Sequence, residues 1–110
     1  MSGPLYPESS PELARRRREL APDAQAAFEA FGRQVFAAGA LDAKTKQLIA
    51  VAVAHVTQCP YCIQGHTKAA QHAGATPQEL MEAVWVAAEM RAGATYAHAA
   101  VMLASLSEGR

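Results

Sequence analysis

Apolar residues recur along this chain at three- and four-residue intervals, while strict alternation of apolar and polar positions is nearly absent. The pattern predicts helices and no sheet. Ser10-Pro11-Glu12 reads as a cap, a proline at the first helical position and an acid in the first turn, opening a helix that ends near Leu20. Ala21-Pro22-Asp23 opens a second helix, which carries Phe28, Phe31, Val35 and Phe36 at helical spacing and is expected to end at Gly39. Asp42 is placed to cap a third, from about Ala43 to Val56, apolar on most sides and so expected in a core. Pro60 sits in the first turn of a fourth, with Cys59 near its cap and Gly74 closing it. Thr76-Pro77-Gln78-Glu79 has the form of a capping box and starts a fifth, with Leu80, Val84, Trp85 and Ala88. Gly93 is expected to interrupt it, leaving a last helix from about Ala94 to Leu106. The expectation is an all-α fold of about six helices. Residues 1–41 would form N-terminal helices for packing and subunit contacts, and 42–110 the core.

Composition sharpens this picture in two ways. The chain is 51% hydrophobic but only 6% aromatic, and rich in alanine, which favours helix and lets helices approach closely. That apolar share is high for a 110-residue monomer and points to subunit interfaces. Ten basic and ten acidic residues balance to a formal charge of zero, which gives no footprint for nucleic acid or an anionic membrane surface. The run Arg15-Arg16-Arg17-Arg18, flanked by Glu12 and Glu19, reads as a solvated helix face. Met1–Ser10 has no apolar run behind a basic start, and no stretch is long and apolar enough to span a bilayer. A cytoplasmic location is therefore expected, where structural disulfides are rare and a Cys-x-x-Cys reads as redox or metal chemistry.

The chemistry concentrates in Cys59-Pro60-Tyr61-Cys62 and His66, and these are the two cysteines of the chain. On a helix the three residues share one face. The thiolate is the reactive form of cysteine, and a helix N-terminus and a nearby imidazole both favour it. A second thiol three residues away can condense with a sulfenic acid formed at the first. The arrangement suits peroxide reduction or disulfide exchange. A zinc site would need Cys59, Cys62 and His66 with His55 or His72 as a fourth ligand, yet all lie within one short stretch without a second Cys-x-x-Cys. Both cysteines as buried small hydrophobes, with His66 a satisfied core histidine, is the plain structural alternative. No metal and no cofactor is assigned. Cys-Pro-Tyr-Cys is also a glutaredoxin active-site string, but the strand and cis-proline loop of that fold are not legible here.

From Asp42 to Ala100 the sequence resembles the carboxymuconolactone decarboxylase family, in its alkylhydroperoxidase D-like branch. The resemblance rests on the apolar helix Leu48–Val56, on Cys59-Pro60-Tyr61-Cys62-Ile63-Gln64-Gly65-His66, and on Gly74-Ala75-Thr76-Pro77-Gln78-Glu79. It implies an all-helical antioxidant fold assembling as a homo-oligomer, trimer or hexamer, in which the cysteine pair cycles as a peroxidase or disulfide reductase. By the same resemblance Cys62 attacks the hydroperoxide, Cys59 resolves the sulfenic acid, and His66 belongs to a proton relay. An external dithiol, lipoyl-bearing or thioredoxin-like, would restore the pair. The family's relay glutamate should lie twelve residues before the first cysteine, and Gln47 stands there instead.

Glutamine neither takes nor gives a proton at neutral pH, but it can orient an imidazole. His55, near the same helix face as Gln47 and Val51, either passes protons to the thiols or bonds a backbone carbonyl. His72 suits the helix dipole, and His98, Trp85, Met81, Met90 and Met102 suit packing or subunit contacts. Two other functions stay open: a lactone decarboxylase of aromatic catabolism, which needs no redox pair, and a non-catalytic helical assembly whose thiols sense oxidation.

Overall fold

In a computed structural model, residues 5–107 are described, and the chain divides into two compact units, 1–40 and 41–110. The first unit holds α1 (Pro11–Leu20) and α2 (Pro22–Phe36), which pack on each other. Ser10 caps α1 as its pattern predicts, accepting from the Leu13 amide at 3.2 Å. Neither helix has a buried residue, and Phe28 and Phe31 of α2 are exposed. Helix α2 stops at Phe36, short of the expected Gly39, because Ala37 turns to an extended conformation with ψ 143°.

The second unit holds α3 (Ala43–Thr57), α4 (Pro60–His72) and α5 (Pro77–Ala104). Helices α4 and α5 both pack on α3. The Asp42 carboxylate caps α3 through the Thr45 amide at 2.7 Å, and hydrogen bonds from the Thr45 side chain and amide hold its pKa below the ordinary aspartate value. Helix α4 ends in a glycine-dependent turn. Gly74 takes φ +99°, its amide bonds the Gln71 carbonyl, and the Ala75 amide bonds the Ala70 carbonyl. Helix α5 opens with the expected capping box, since Thr76 accepts from the Glu79 amide while the Glu79 carboxylate accepts from the Thr76 amide.

Two contacts give the register of α5 on α3. Lys44 donates to Glu79 at 2.7 Å near the start of both helices, and Arg91 donates to the Val56 carbonyl at 3.3 Å near the end of α3. Both pairs are 35 residues apart, so α3 and α5 run parallel. Helix α5 then continues past its contact with the end of α3 instead of breaking at Gly93, giving five helices among the described residues where about six were expected. A single glycine costs about 1 kcal/mol in a helix interior, and here Ala92 and Ala94 beside it sustain the hydrogen-bond ladder.

The core between these helices is small. Val51, Ala70 and Ala75 are buried, with Leu48, Leu80 and Val84 packed around them. Alanines at the contacts let the backbones come close. Helix α3 buries only Val51 and Ala54, while Ile49, Val53 and Val56 remain exposed, so its apolar circumference is not enclosed by one chain. Trp85, Met81, Met90 and Met102 of α5 are exposed as well, which removes them from the core of the single chain.

The Lys44–Glu79 bond holds the Glu79 carboxyl below, and the Lys44 ammonium above, their ordinary pKa values. A depressed carboxyl contributes stability above its unfolded-state pKa and loses it as pH falls through the folded-state value. A raised lysine contributes below its unfolded-state pKa and loses it as pH rises through the folded-state value. Glu79→Gln keeps a residue that can complete the capping box and removes only the charge. The variant is expected to be less stable than the parent at neutral pH, with the difference fading in acid below the usual carboxylate range and again in strong alkali. Chemical denaturation across pH measures it; a difference independent of pH would contradict the role given to this pair.

Candidate redox site

The site is built around the turn from α3 into α4. Gln58 adopts a left-handed conformation (φ 58°, ψ 47°), which ends α3 and lets the Cys59 amide reach back to the Ala54 carbonyl at 3.2 Å. Glycine is the usual residue in such a position, and a side chain there costs about 1 kcal/mol. The turn leaves Cys59 as the N-cap of α4, where serine, threonine, aspartate or asparagine is usual. Its Sγ accepts from the Cys62 amide at 3.2 Å, and its carbonyl accepts the first helical bond, from the Ile63 amide. Pro60 follows at the first helical position, where the missing N–H is no loss.

Cys59 and Cys62 form a disulfide, with Cα atoms 5.2 Å apart. Both are half-buried, close enough to the surface for a second thiol to reach them. His66 lies one turn beyond Cys62 and is also half-buried. Its Nδ1 meets the Gln47 Oε1 of α3 at 2.8 Å. An amide oxygen only accepts, so Nδ1 carries the proton and Nε2 is the basic nitrogen of the neutral ring. This contact runs from early in α3 to mid-α4, and with the Ala54–Cys59 bond it sets the two helices antiparallel.

The sequence-based candidates therefore separate into two groups. The disulfide and the cap tie Cys59 to Cys62, and the imidazole–amide bond ties His66, one turn further along α4, to Gln47. His55 is anchored to its own helix, with Nδ1 donating to the Val51 carbonyl at 2.8 Å, the backbone arrangement among the two considered for it. His72 and His98 are exposed, away from this bond network. The hydrogen bond of Gln47 to His66, suggested in the sequence only through the family resemblance, depends on the helix register. Among the described residues, no three His, Cys, Asp or Glu side chains converge as a metal site, and no helix is long and apolar enough to cross a membrane.

A compact helical hairpin with a Cys-x-x-Cys at the head of its second helix and a histidine one turn on defines a class of small all-helical proteins. Comparison with known proteins places the chain within that class. Residues 22–104, from the first residue of α2 to the last of α5, match the Carboxymuconolactone decarboxylase family, and the chain belongs to that family. The match reaches further toward the N-terminus than Asp42, so α2 is part of the family pattern. A Paracoccus denitrificans protein named "Uncharacterized protein 4 in cox locus" is 68% identical over 82 residues, 74% of each chain. A carboxymuconolactone decarboxylase family protein from Legionella pneumophila, solved in its apo form, is similar with TM-score 0.66 and 39% identity, covering 72% of this chain and 70% of that one. A Methanobacterium thermoautotrophicum protein is similar with TM-score 0.72 and 36% identity, over 76% of this chain and 94% of that one.

Proposed function

We propose that this chain is a thiol-dependent oxidoreductase of the peroxidase and disulfide-reductase kind, working through a Cys59–Cys62 dithiol/disulfide cycle in antioxidant defence. The observation that carries the reading is the disulfide at the head of α4, with His66, bonded to Gln47, one turn further along the same helix. In the reduced state His66 Nε2 takes the Cys62 proton, and the Cys62 thiolate attacks a hydroperoxide oxygen. The O–O bond breaks, an alcohol or water leaves with a proton, and Cys62 becomes a sulfenic acid. Cys59, whose sulfur already accepts a backbone N–H, attacks the Cys62 sulfur and expels water. An external dithiol, lipoyl-bearing or thioredoxin-like, then reduces the disulfide and is itself oxidised to a disulfide. A disulfide substrate replaces the hydroperoxide through a mixed disulfide at Cys62, with two thiols as products. Gln47 orients His66 without exchanging protons, and His55 braces α3 through its bond to Val51.

The cysteine variants test this. Cys62→Ser is expected to abolish oxidant-dependent turnover, and Cys59→Ser to form a sulfenic acid that over-oxidises instead of closing a disulfide. Thiol titration and intact-mass analysis after a stoichiometric pulse of hydroperoxide or of a small disulfide check both outcomes. Substantial turnover by Cys62→Ser, or lactone decarboxylation surviving in the double variant, would overturn the assignment.

We infer also that the chain works as a homo-oligomer, a trimer or hexamer. The support is the apolar area that one chain leaves open in each unit: Phe28 and Phe31 in the first and Trp85, Met90 and Val101 in the second are all more than 60% exposed, whereas the buried residues among those described are one valine and four alanines. From Ala92 to Ala104, α5 carries no Asp, Glu, Lys or Arg. Light scattering is expected to report a mass of three or six chains; a monomer at micromolar concentration would contradict it.

A further inference from the structure

We propose that α5 pairs side by side and antiparallel with α5 of a second copy of this chain, about a two-fold axis between Gly93 and Ala94. The inference rests on the homo-oligomer proposed above and assigns one of its interfaces.

The face is marked by spacings of four and three residues in strict alternation: Met81, Trp85, Ala88, Ala92, Thr95, Ala99 and Met102. That is the period of about 3.5 residues at which one helix meets another along a seam. None of these residues is charged. Helix α5 uses a different side for its own chain, where Leu80 and Val84 pack on the core and Ala87 is buried. Along the seam Met81, Trp85 and Met102 are half or more exposed, Ala88, Ala92 and Thr95 are exposed, and Ala99 is half-buried. The Thr95 hydroxyl donates to the Arg91 carbonyl at 2.9 Å, so a partner covering Thr95 leaves no donor stranded.

Size along the seam is symmetric about its middle. Bulky side chains stand at both ends and small ones at the four central positions. Two copies of such a helix fit when they cross closest at their midpoints, where the small residues admit close approach. Direction follows from where α5 is covered by its own chain. Arg91 meets the end of α3 at Val56, and the stretch Ala92–Ala104, without Asp, Glu, Lys or Arg, runs beyond that contact. In an antiparallel pair this bare stretch lies along Met81, Trp85 and Ala88 of the second copy, and both are covered together. A parallel pair would leave the bare stretches covering only each other and set like helix ends side by side.

The antiparallel register layers Trp85 on Met102 of the second copy, Ala88 on its Ala99, and Ala92 on its Thr95. Glu89 borders the seam, with its Oε1 3.6 Å from where a Gly93 side chain would begin. Tyr96 lies on the same edge and is 84% exposed, so the Tyr96 hydroxyl of one copy comes alongside the Glu89 carboxylate of the other. The seam is about 32 Å long, and two such faces bury on the order of 1,000 Å², the lower limit for a specific contact. That area suits one interface of a larger assembly better than a free dimer. A closed trimer has no two-fold axis, so this pair selects the hexamer, built from three such pairs.

The register is tested by Ala88→Cys with Ala99→Cys in one chain, in a background carrying Cys59→Ser and Cys62→Ser. On one helix the two positions are about 16 Å apart, too far to bridge, so any link joins two chains. Mild oxidation is expected to give a cross-linked dimer whose linked peptides join 88 to 99; links of 88 to 88, or none, overturn the pair. Ala92→Glu, in the protein with its native cysteines, sets a carboxylate inside the seam. Light scattering is expected to fall from six chains to three. Quenching by acrylamide of Trp85, the one tryptophan of the chain, is expected to rise, with thiol exchange at Cys59–Cys62 unchanged. A variant with unaltered mass and quenching overturns the pair. A parent mass of three chains overturns the pair and leaves the homo-oligomer standing, whereas a monomer overturns both. A parent mass of two with the 88–99 link keeps the pair and overturns the trimer or hexamer.

Discussion

Everything in the site depends on the turn that joins α3 to α4. With Gln58 in the left-handed region, the Cys59 amide closes onto the Ala54 carbonyl, and the chain reverses over two residues. That reversal makes Cys59 the cap of α4, puts Cys62 within disulfide reach, and brings His66 back alongside Gln47. A cysteine in place of the usual capping serine or aspartate gives one sulfur two duties. It caps the start of α4, and it is half of the disulfide. The strain of a non-glycine residue in the left-handed region, at Gln58, falls next to the disulfide.

The packing around the turn uses small residues more than large ones. Val51, Ala70 and Ala75 bring α3, α4 and the start of α5 together, and the Lys44–Glu79 and Arg91–Val56 contacts pin α5 parallel to α3 at both ends of the shared length. Such a core is too thin to consume the apolar residues of a chain that is half hydrophobic. Large apolar side chains are left exposed on α2, on α3 and on α5, which is the physical ground for the proposed assembly.

Much of this was legible from residues alone, and what was not has identifiable causes. The caps at Ser10, Asp42 and Thr76 and the glycine turn at Gly74 are local signals, set by side chains that bond backbone within a few residues. They place the helix starts closely. Helix ends were harder, since Gly39 and Gly93 each suggested a stop. Helix α2 ended before the first, where Ala37 turns extended, and α5 ran through the second, because a single glycine weakens a helix by only about 1 kcal/mol. The residues of the site were legible from spacing and from the family resemblance. Their bonding was not: whether His55 turned to the thiols or to its own backbone, and whether Gln47 met His66, depends on helix register that no local pattern encodes.

The central claim is that Cys59 and Cys62 are a reversible two-electron couple within a folded hairpin. It is tested most directly by equilibrating the protein across a series of reduced and oxidised dithiothreitol mixtures, then trapping thiols and recording intact mass. The account predicts one transition with two-electron slope, reached identically from the reduced and the oxidised protein, with the disulfide inside one chain and helicity unchanged. Thiols that never equilibrate with the buffer, or bonds that form only between chains, would contradict it.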